Sequence, residues 1–325
     1  MKLAQLAFAS TLVPLTLLAQ PAAAAQKWDM PMAYPASNFH SVNAKNFAEC
    51  VRTGTAGEID IVTHPGGTLF KGNDIKRAVQ SGQTQIGERL LSAHENENPL
   101  FGLDSIPFIA TSYDQSEKLW QAGKGEIGKA LDEQGLVLLY SVPWPPQGMY
   151  FKKEVNSVAD MQGVKVRSYN NSTGRIAELA GMVPVQLEAS EITQGLITGV
   201  ITSLITSAVT GQDSKAWEQL GYFYKVNAWQ PRNFVLANKD TFSALDDKTR
   251  SAITACAAKA ETDGVAMSKA ANDAALAALA KNGMKVLDPS EKLASELRGF
   301  GDQVAGSWKA KAGDAGKTVL DAYAK

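Results

Sequence analysis

The densest proline cluster of the chain, Pro143-Trp144-Pro145-Pro146, splits it into two stretches that each alternate strand-like and helix-like patterns. In the first, Trp28 to Met32 reads as a strand and leads into the loop Tyr34-Pro35-Ala36-Ser37-Asn38. Ala44, Phe47, Ala48 and Val51 then recur at i, i+3, i+4, i+7, which predicts a helix stopped by Gly54 and Gly57. Ile59 and Ile61 alternate with Asp60 in a short strand that turns at Pro65-Gly66-Gly67. A helix over Asp74 to Ser81 and a strand near Gln85 to Gly87 complete a β-α-β-α-β unit, the spacing of parallel strands with helices on their faces. Leu136 to Tyr140 is a continuous apolar run, as a strand covered on both sides requires.

Beyond the prolines the alternation restarts. Strands are predicted at Val164 to Val166, Val183 to Leu187 and Val200 to Ile205, with helices over Ser172 to Ala180 and Ser190 to Thr198. The last third is alanine-rich and helical: Asp246 to Lys281 forms one helix or two broken near Asp263-Gly264, and Ser290 to Trp308 another. The expectation is an α/β fold of two halves joined at the proline-rich crossing, with long C-terminal helices lying across both.

The amino terminus carries a different signal. Met1-Lys2, an apolar stretch from Leu3 to Leu18, and Pro21-Ala22-Ala23-Ala24-Ala25 follow the order of a cleaved secretory signal peptide, so residues 1–25 are expected to be removed and Gln26 to begin the mature chain. Balanced charge, 32 basic against 33 acidic side chains with no block of either sign, argues against nucleic acid and against a polybasic membrane patch. Cys50 and Cys256 form no C-x-x-C pair. In an oxidising compartment they either make one long-range disulfide or remain two buried thiols, and sequence leaves both open.

No catalytic constellation is visible. His40, His64 and His94 have no metal-ligand spacing, and no G-x-S-x-G elbow occurs. Gly66 to Gly72 lacks the G-K-[ST] of a phosphate loop. His94-Glu95-Asn96-Glu97 reads as a solvated acidic turn, and Glu178, Glu188 and Glu191 as solvent-facing carboxylates. No metal or cofactor is expected.

Arg167 closes the strand in Asp160-Met161-Gln162-Gly163-Val164-Lys165-Val166-Arg167. Strand ends of an open α/β sheet face the ligand crevice, and a guanidinium fork suits a carboxylate. This run resembles the "L-K-G-x-K-[IV]-R" strand of TRAP-transporter solute-binding proteins of the DctP family. Val183 to Ile192 is similar to that family's "P-x-x-[ML]-x-x-x-E-[VI]" segment, and Leu196 to Ile201 to its "L-x-x-G-x-[VI]" run. Upstream, Thr55 to Ile59 resembles "T-x-G-x-[IL]" and Ala78 to Gly82 "A-V-x-x-G". One departure is Thr202-Ser203, where the family usually has Asp-Gly at a turn facing the cleft.

The resemblance implies a two-domain periplasmic-binding-protein clamshell, a receptor that closes over a small organic acid and delivers it to an integral membrane TRAP permease. It implies Arg167 as the carboxylate anchor, supported by Asn170, with Gln147, Thr206, Ser207, Glu88, Phe39 and His40 as further contacts. Trp144, Tyr150, Phe70 and Trp229 are candidate aromatic walls, suggesting an aromatic or 2-oxo/2-hydroxy monocarboxylate. A dicarboxylate would need a second cation, for which Arg89, Arg175 and Arg232 are candidates. The implied halves are 26–144 with about 233–275, and 145–232 with about 276–325. A monomer is expected, with pairing through the C-terminal helices as the alternative. A secreted enzyme on a similar frame and a sensor subunit for the same ligand are the competing readings.

Overall fold

The structure, a computed structural model, describes residues 25–325. The signal-peptide reading of the first 25 residues therefore falls almost wholly outside the described residues.

The chain opens with β1 (Gln26–Pro31), α1 (Phe39–Gly54), β2 (Ile59–His64), α2 (Gly72–Gln80) and β3 (Ile86–Leu90). The β1 and β2 strands pair in parallel, as the spacing predicts. The third strand does not join their ladder. It pairs antiparallel with a strand from far along the chain and only abuts β1, where Asp29 N–H donates to Gln85 Oε1 at 3.0 Å. Two 3₁₀ turns, Leu91–His94 and Pro99–Ser105, lead to α3 (Tyr113–Asp132) and β4 (Leu136–Pro143).

Past the prolines come β5 (Gly148–Phe151), β6 (Lys165–Ser168), α4 (Asn171–Leu179), β7 (Val183–Gln186), α5 (Ile192–Thr198), β8 (Ser203–Thr206), α6 (Ala208–Asp213) and β9 (Tyr222–Tyr224). The chain then returns through β10 (Arg232–Asn238), α7 (Lys239–Ser243), α8 (Asp247–Lys281), β11 (Lys285–Leu287) and α9 (Glu291–Ala324). The strand expected over Val200 to Ile205 starts later, because Gly199 adopts a left-handed φ of 72° as the C-cap of α5.

Two sheet bodies result. In the first, β10 sits between β3 and β4, antiparallel to both, beside the β1-β2 pair. The second has the order β11-β9-β5-β8-β6-β7, parallel along β8-β6-β7 and antiparallel around β5. The three-stranded sheet is thus antiparallel and the six-stranded one mixed, rather than all-parallel, because the chain enters β5 and β10 on changing sheet. The two crossings run side by side: Trp144 N–H donates to Pro231 O and Gln147 N–H to Trp229 O, each at 2.8 Å.

The α8 segment is one continuous helix across Asp263-Gly264. Gly264 is required by packing, because a Cβ there would overlap a methyl of Val142 on β4. Cys50 of α1 and Cys256 of α8 form a disulfide with Cα atoms 5.8 Å apart. The last helix extends well beyond Trp308, with non-helical geometry at Gly313, and packs against both α3 and α4.

Candidate functional site

The site is built around the C-terminal ends of β6 and β8 and the crossing after β4. Arg167 is buried at 5 % exposure, with its Nε–H donated to the Leu187 carbonyl at 2.9 Å. That bond fixes the guanidinium plane, and the two terminal nitrogens make no hydrogen bond to the described protein. Burial lowers the Arg167 pKa, yet the group starts so high that it stays cationic. A buried cation with free donors facing an opening is a ready anion site.

Two adjoining cavities meet at Arg167. One, of about 30 Å³, is lined by Trp144, Gln147 and Thr206; the other, of about 70 Å³, reaches Arg89 and Glu188; both share Tyr34 and Tyr169. Arg167 and Tyr169 stand two residues apart at a strand end, so they point to one side. That spacing could have singled out Tyr169 from sequence; nothing comparable marked Tyr34. The Tyr169 hydroxyl is buried and without a partner. Burial holds it well above its ordinary pKa, so it remains a neutral donor.

Trp144, Gln147, Arg167 and Thr206 are thus brought together as expected, while other candidates are drawn elsewhere. Asn170 caps α4, accepting from Thr173 N–H at 2.9 Å, and its amide donates to Ser92 and Ser105, each at 3.0 Å, so it borders a different crevice. Ser207 likewise caps α6 through Thr210 N–H at 3.1 Å. Trp229 is buried with its Nε1–H on Ser172 Oγ, and Tyr150 donates to the Ser207 carbonyl inside the second sheet body. Neither ring lines the cavities, and neither does Phe70.

Glu88, His40 and Phe39 stand behind Trp144 rather than beside Arg167. Trp144 Nε1–H donates to Asn233 Oδ1 at 2.8 Å, and Asn233 Nδ2 to Glu88 Oε1 at 3.2 Å. The His40 Nδ1 lies 3.2 Å from the same Glu88 oxygen, an ion-pair distance without hydrogen-bond alignment. The His40 and Phe39 rings pack against Trp144 at 4.4 and 5.4 Å between centroids. These residues position the tryptophan.

Thr202-Ser203 lies at the start of β8, with Ser203 bonded to the Tyr150 carbonyl at 2.6 Å, away from the cavity end at Thr206. Of the candidate second cations, Arg175 is exposed and paired with Glu178, and Arg232 is buried against Ser141 and over the Trp120 ring. Only Arg89 reaches the cleft. Glu188 is not solvent-facing, because it spans from the second body to Arg89 at 3.4 Å. The supposed acidic turn is also packed: His94 bonds Glu97 at 2.9 Å, and Glu97 pairs with the buried Lys76.

A wider opening, about 870 Å³, lies between α4, the Pro99–Ser105 turn and α9. No buried polar atom lacking a partner lines it, whereas the smaller cavities have the unpartnered Tyr169 hydroxyl beside the buried Arg167 cation, so they are the stronger candidates. Among the described residues no cluster of His, Cys, Asp and Glu could hold a metal, and no helix is long and apolar enough to cross a membrane.

Comparison with known proteins identifies the family and the fold. Residues 32–309 match the model of bacterial extracellular solute-binding protein, family 7 (DctP). The fold is similar to a marine metagenome TRAP solute-binding protein specific for pyroglutamate, 49 % identical with TM-score 0.91, covering 92 % of this chain and 99 % of that one. It is also similar to DctP6 of Bordetella pertussis, an extracytoplasmic solute receptor binding pyroglutamic acid, at 44 % identity and TM-score 0.90 over 92 % and 99 % of the two chains. A monocarboxylate 2-oxoacid-binding periplasmic protein of Nostoc sp. is 23 % identical over 82 % of this chain and 75 % of that relative. These relatives are binding proteins, not enzymes. A family match over most of the chain, on an α/β clamshell with a long C-terminal helix, makes this protein a member of the DctP family of bacterial extracellular solute-binding proteins.

Proposed function

We propose that this receptor captures a compact monocarboxylate, with pyroglutamate the leading candidate, and delivers it to a TRAP-type membrane permease. The observation that carries this reading is the buried Arg167 with its terminal N–H groups unpaired at the cavity. Arg167 anchors the carboxylate, while Gln147, Thr206 and the Tyr169 hydroxyl are the groups available to a lactam N–H and C=O. Pyroglutamate binding by relatives 49 % and 44 % identical supports the same choice.

The protein acts in the periplasm after removal of residues 1–25. Its lobes are 26–144 with about 233–275 and 145–232 with about 276–325, hinged at the paired crossings. Ligand stabilises the closed form through its higher affinity for it.

A thermal-shift and calorimetric screen of the mature protein against organic acids tests this. Pyroglutamate at about 100 times its Kd should add about 2.7 kcal/mol and raise Tm by several degrees. Arg167→Ala should lose the shift while keeping the ligand-free Tm. Silence across monocarboxylates in the wild type, or an undiminished shift in Arg167→Ala, would overturn the reading.

A further inference from the structure

We propose that Glu188 is a built-in counter-ion that keeps the cleft selective for ligands with a single carboxylate. The inference rests on the reading of this cleft as an organic-acid site. Two guanidinium groups, Arg167 and Arg89, border the same cavity of about 70 Å³. Left alone, two cations so placed would welcome a dicarboxylate. The Arg89 group, however, is already engaged: its Nη1 lies 3.4 Å from Glu188 Oε2 and its Nη2 3.4 Å from Glu188 Oε1. Two parallel N–H···O contacts are how a guanidinium takes a carboxylate, so Glu188 stands where a second ligand carboxylate would bind.

Three further features fit this role. Arg89 is steadied from its own side, by Nη2–H to Asn73 Oδ1 and Nε–H to His94 Nε2 at 3.4 Å, so its guanidinium keeps its place without Glu188. The contacts to Glu188 are longer than the roughly 2.7–2.9 Å of a tight charge-assisted bond, which makes the carboxylate an exchangeable partner rather than a locked one. Gly72 leaves room for the pair: a Cβ there would overlap Glu188 Oε2 and come within 2.8 Å of Arg89 Nη1.

Placement links both functions to one short segment. Leu187 holds Arg167 through its carbonyl, and the next residue occupies Arg89. A dianion anchored at Arg167 would direct its second carboxylate at the Glu188 carboxylate, and like-charge juxtaposition is how a site rejects the wrong ligand. A monocarboxylate meets no such opposition. L-glutamate and glutarate, open-chain relatives of pyroglutamate with a second carboxylate, are the ligands so excluded.

The test is isothermal titration of the full mature protein with L-pyroglutamate and glutarate, in wild type, Glu188→Gln and Glu188→Gln/Arg89→Gln. Wild type should prefer pyroglutamate by at least about 100-fold, and Glu188→Gln should narrow that preference at least about tenfold by gaining glutarate affinity. Adding Arg89→Gln should abolish the gain. An unchanged preference in a folded Glu188→Gln, or tight glutarate binding by wild type, overturns the counter-ion role. Wild type that binds no monocarboxylate overturns the reading of the cleft instead, and a glutarate gain in Glu188→Gln would then still uphold the counter-ion. Glu188→Ala serves as a second variant, and failure of both to fold would assign the pair to stability rather than selectivity.

Discussion

The Arg167 guanidinium carbon lies 5.2 Å from the centroid of the Tyr169 ring, so one side chain presents free donors and the other a hydroxyl with no partner at the same cavity. Within the protein the Tyr169 hydroxyl carries the cost of desolvation with no bond in return. Tyr169→Phe should therefore leave the ligand-free Tm unchanged or slightly raised. If the hydroxyl meets the ligand, pyroglutamate affinity should fall by about 1 kcal/mol, roughly fivefold. Calorimetry that finds equal affinity in both forms would place the hydroxyl outside the ligand's reach.

His94 gives a pH dependence whose sign follows from its partners. Arg89 Nε–H donates to Nε2, so the ring proton sits on Nδ1 and is donated to Glu97. Burial, and then the nearby Arg89 charge, lower the His94 pKa from 6.5 to about 4. The unfolded ring takes up a proton near pH 6.5 that the folded one refuses until about pH 4, so this contribution is complete above 6.5 and lost as pH falls through that window. Asp104 works in the opposite sense: burial raises it from 3.8 to about 7, so its contribution declines as pH rises between those values. The stability difference between wild type and His94→Asn isolates the histidine and should shift in favour of the variant from pH 7 to pH 4. A difference independent of pH would refute the assignment.

Gly264→Ala sets two effects against each other. Helix propensity alone favours alanine by about 1 kcal/mol. The added methyl would overlap one Val142 methyl, lie 2.8 Å from the other and reach 3.1 Å from Asn43 Nδ2. Overpacking typically costs about 1–3 kcal/mol, so a net loss of stability is expected in urea unfolding. A stabilised variant would mean that α8 can slide on β4.

Reduction of the Cys50–Cys256 disulfide should destabilise the protein by about 2–4 kcal/mol, because the bond ties α1 to α8 across a separation of 206 residues. Neither cysteine lines the cavities at Arg167, so ligand affinity at a temperature where the reduced protein stays folded should change little. A large loss of affinity on reduction would couple this clamp to the cleft.

Local periodicity made much of this fold legible. Ala44, Phe47, Ala48 and Val51 are all buried in α1, as their spacing requires. What periodicity cannot report is pairing between distant segments, which is why the β3-β10 ladder and the change of sheet went unread. The site divided along the same line. Arg167 could be found because it ends a strand, whereas Glu88 also stands in a strand buried along its whole length, with no alternation to show which side it faces. Asn170 was readable in a second way. Asn170-Asn171-Ser172-Thr173 ahead of an apolar pattern is a helix-start signature, and capping is the role the structure gives it. Glu188 was hidden because its partner Arg89 is remote in sequence.

The middle position of β10 has a consequence for how the chain emerges from the ribosome. Residues 26–143 hold most of the first body, but its sheet lacks a centre until Arg232–Asn238 has been made. A nascent chain therefore cannot finish either half early: the first waits for β10, and the second waits for β11 to extend its edge. A chain exported as proposed above would thus keep its first sheet open, and its backbone threadable, until β10 has been made.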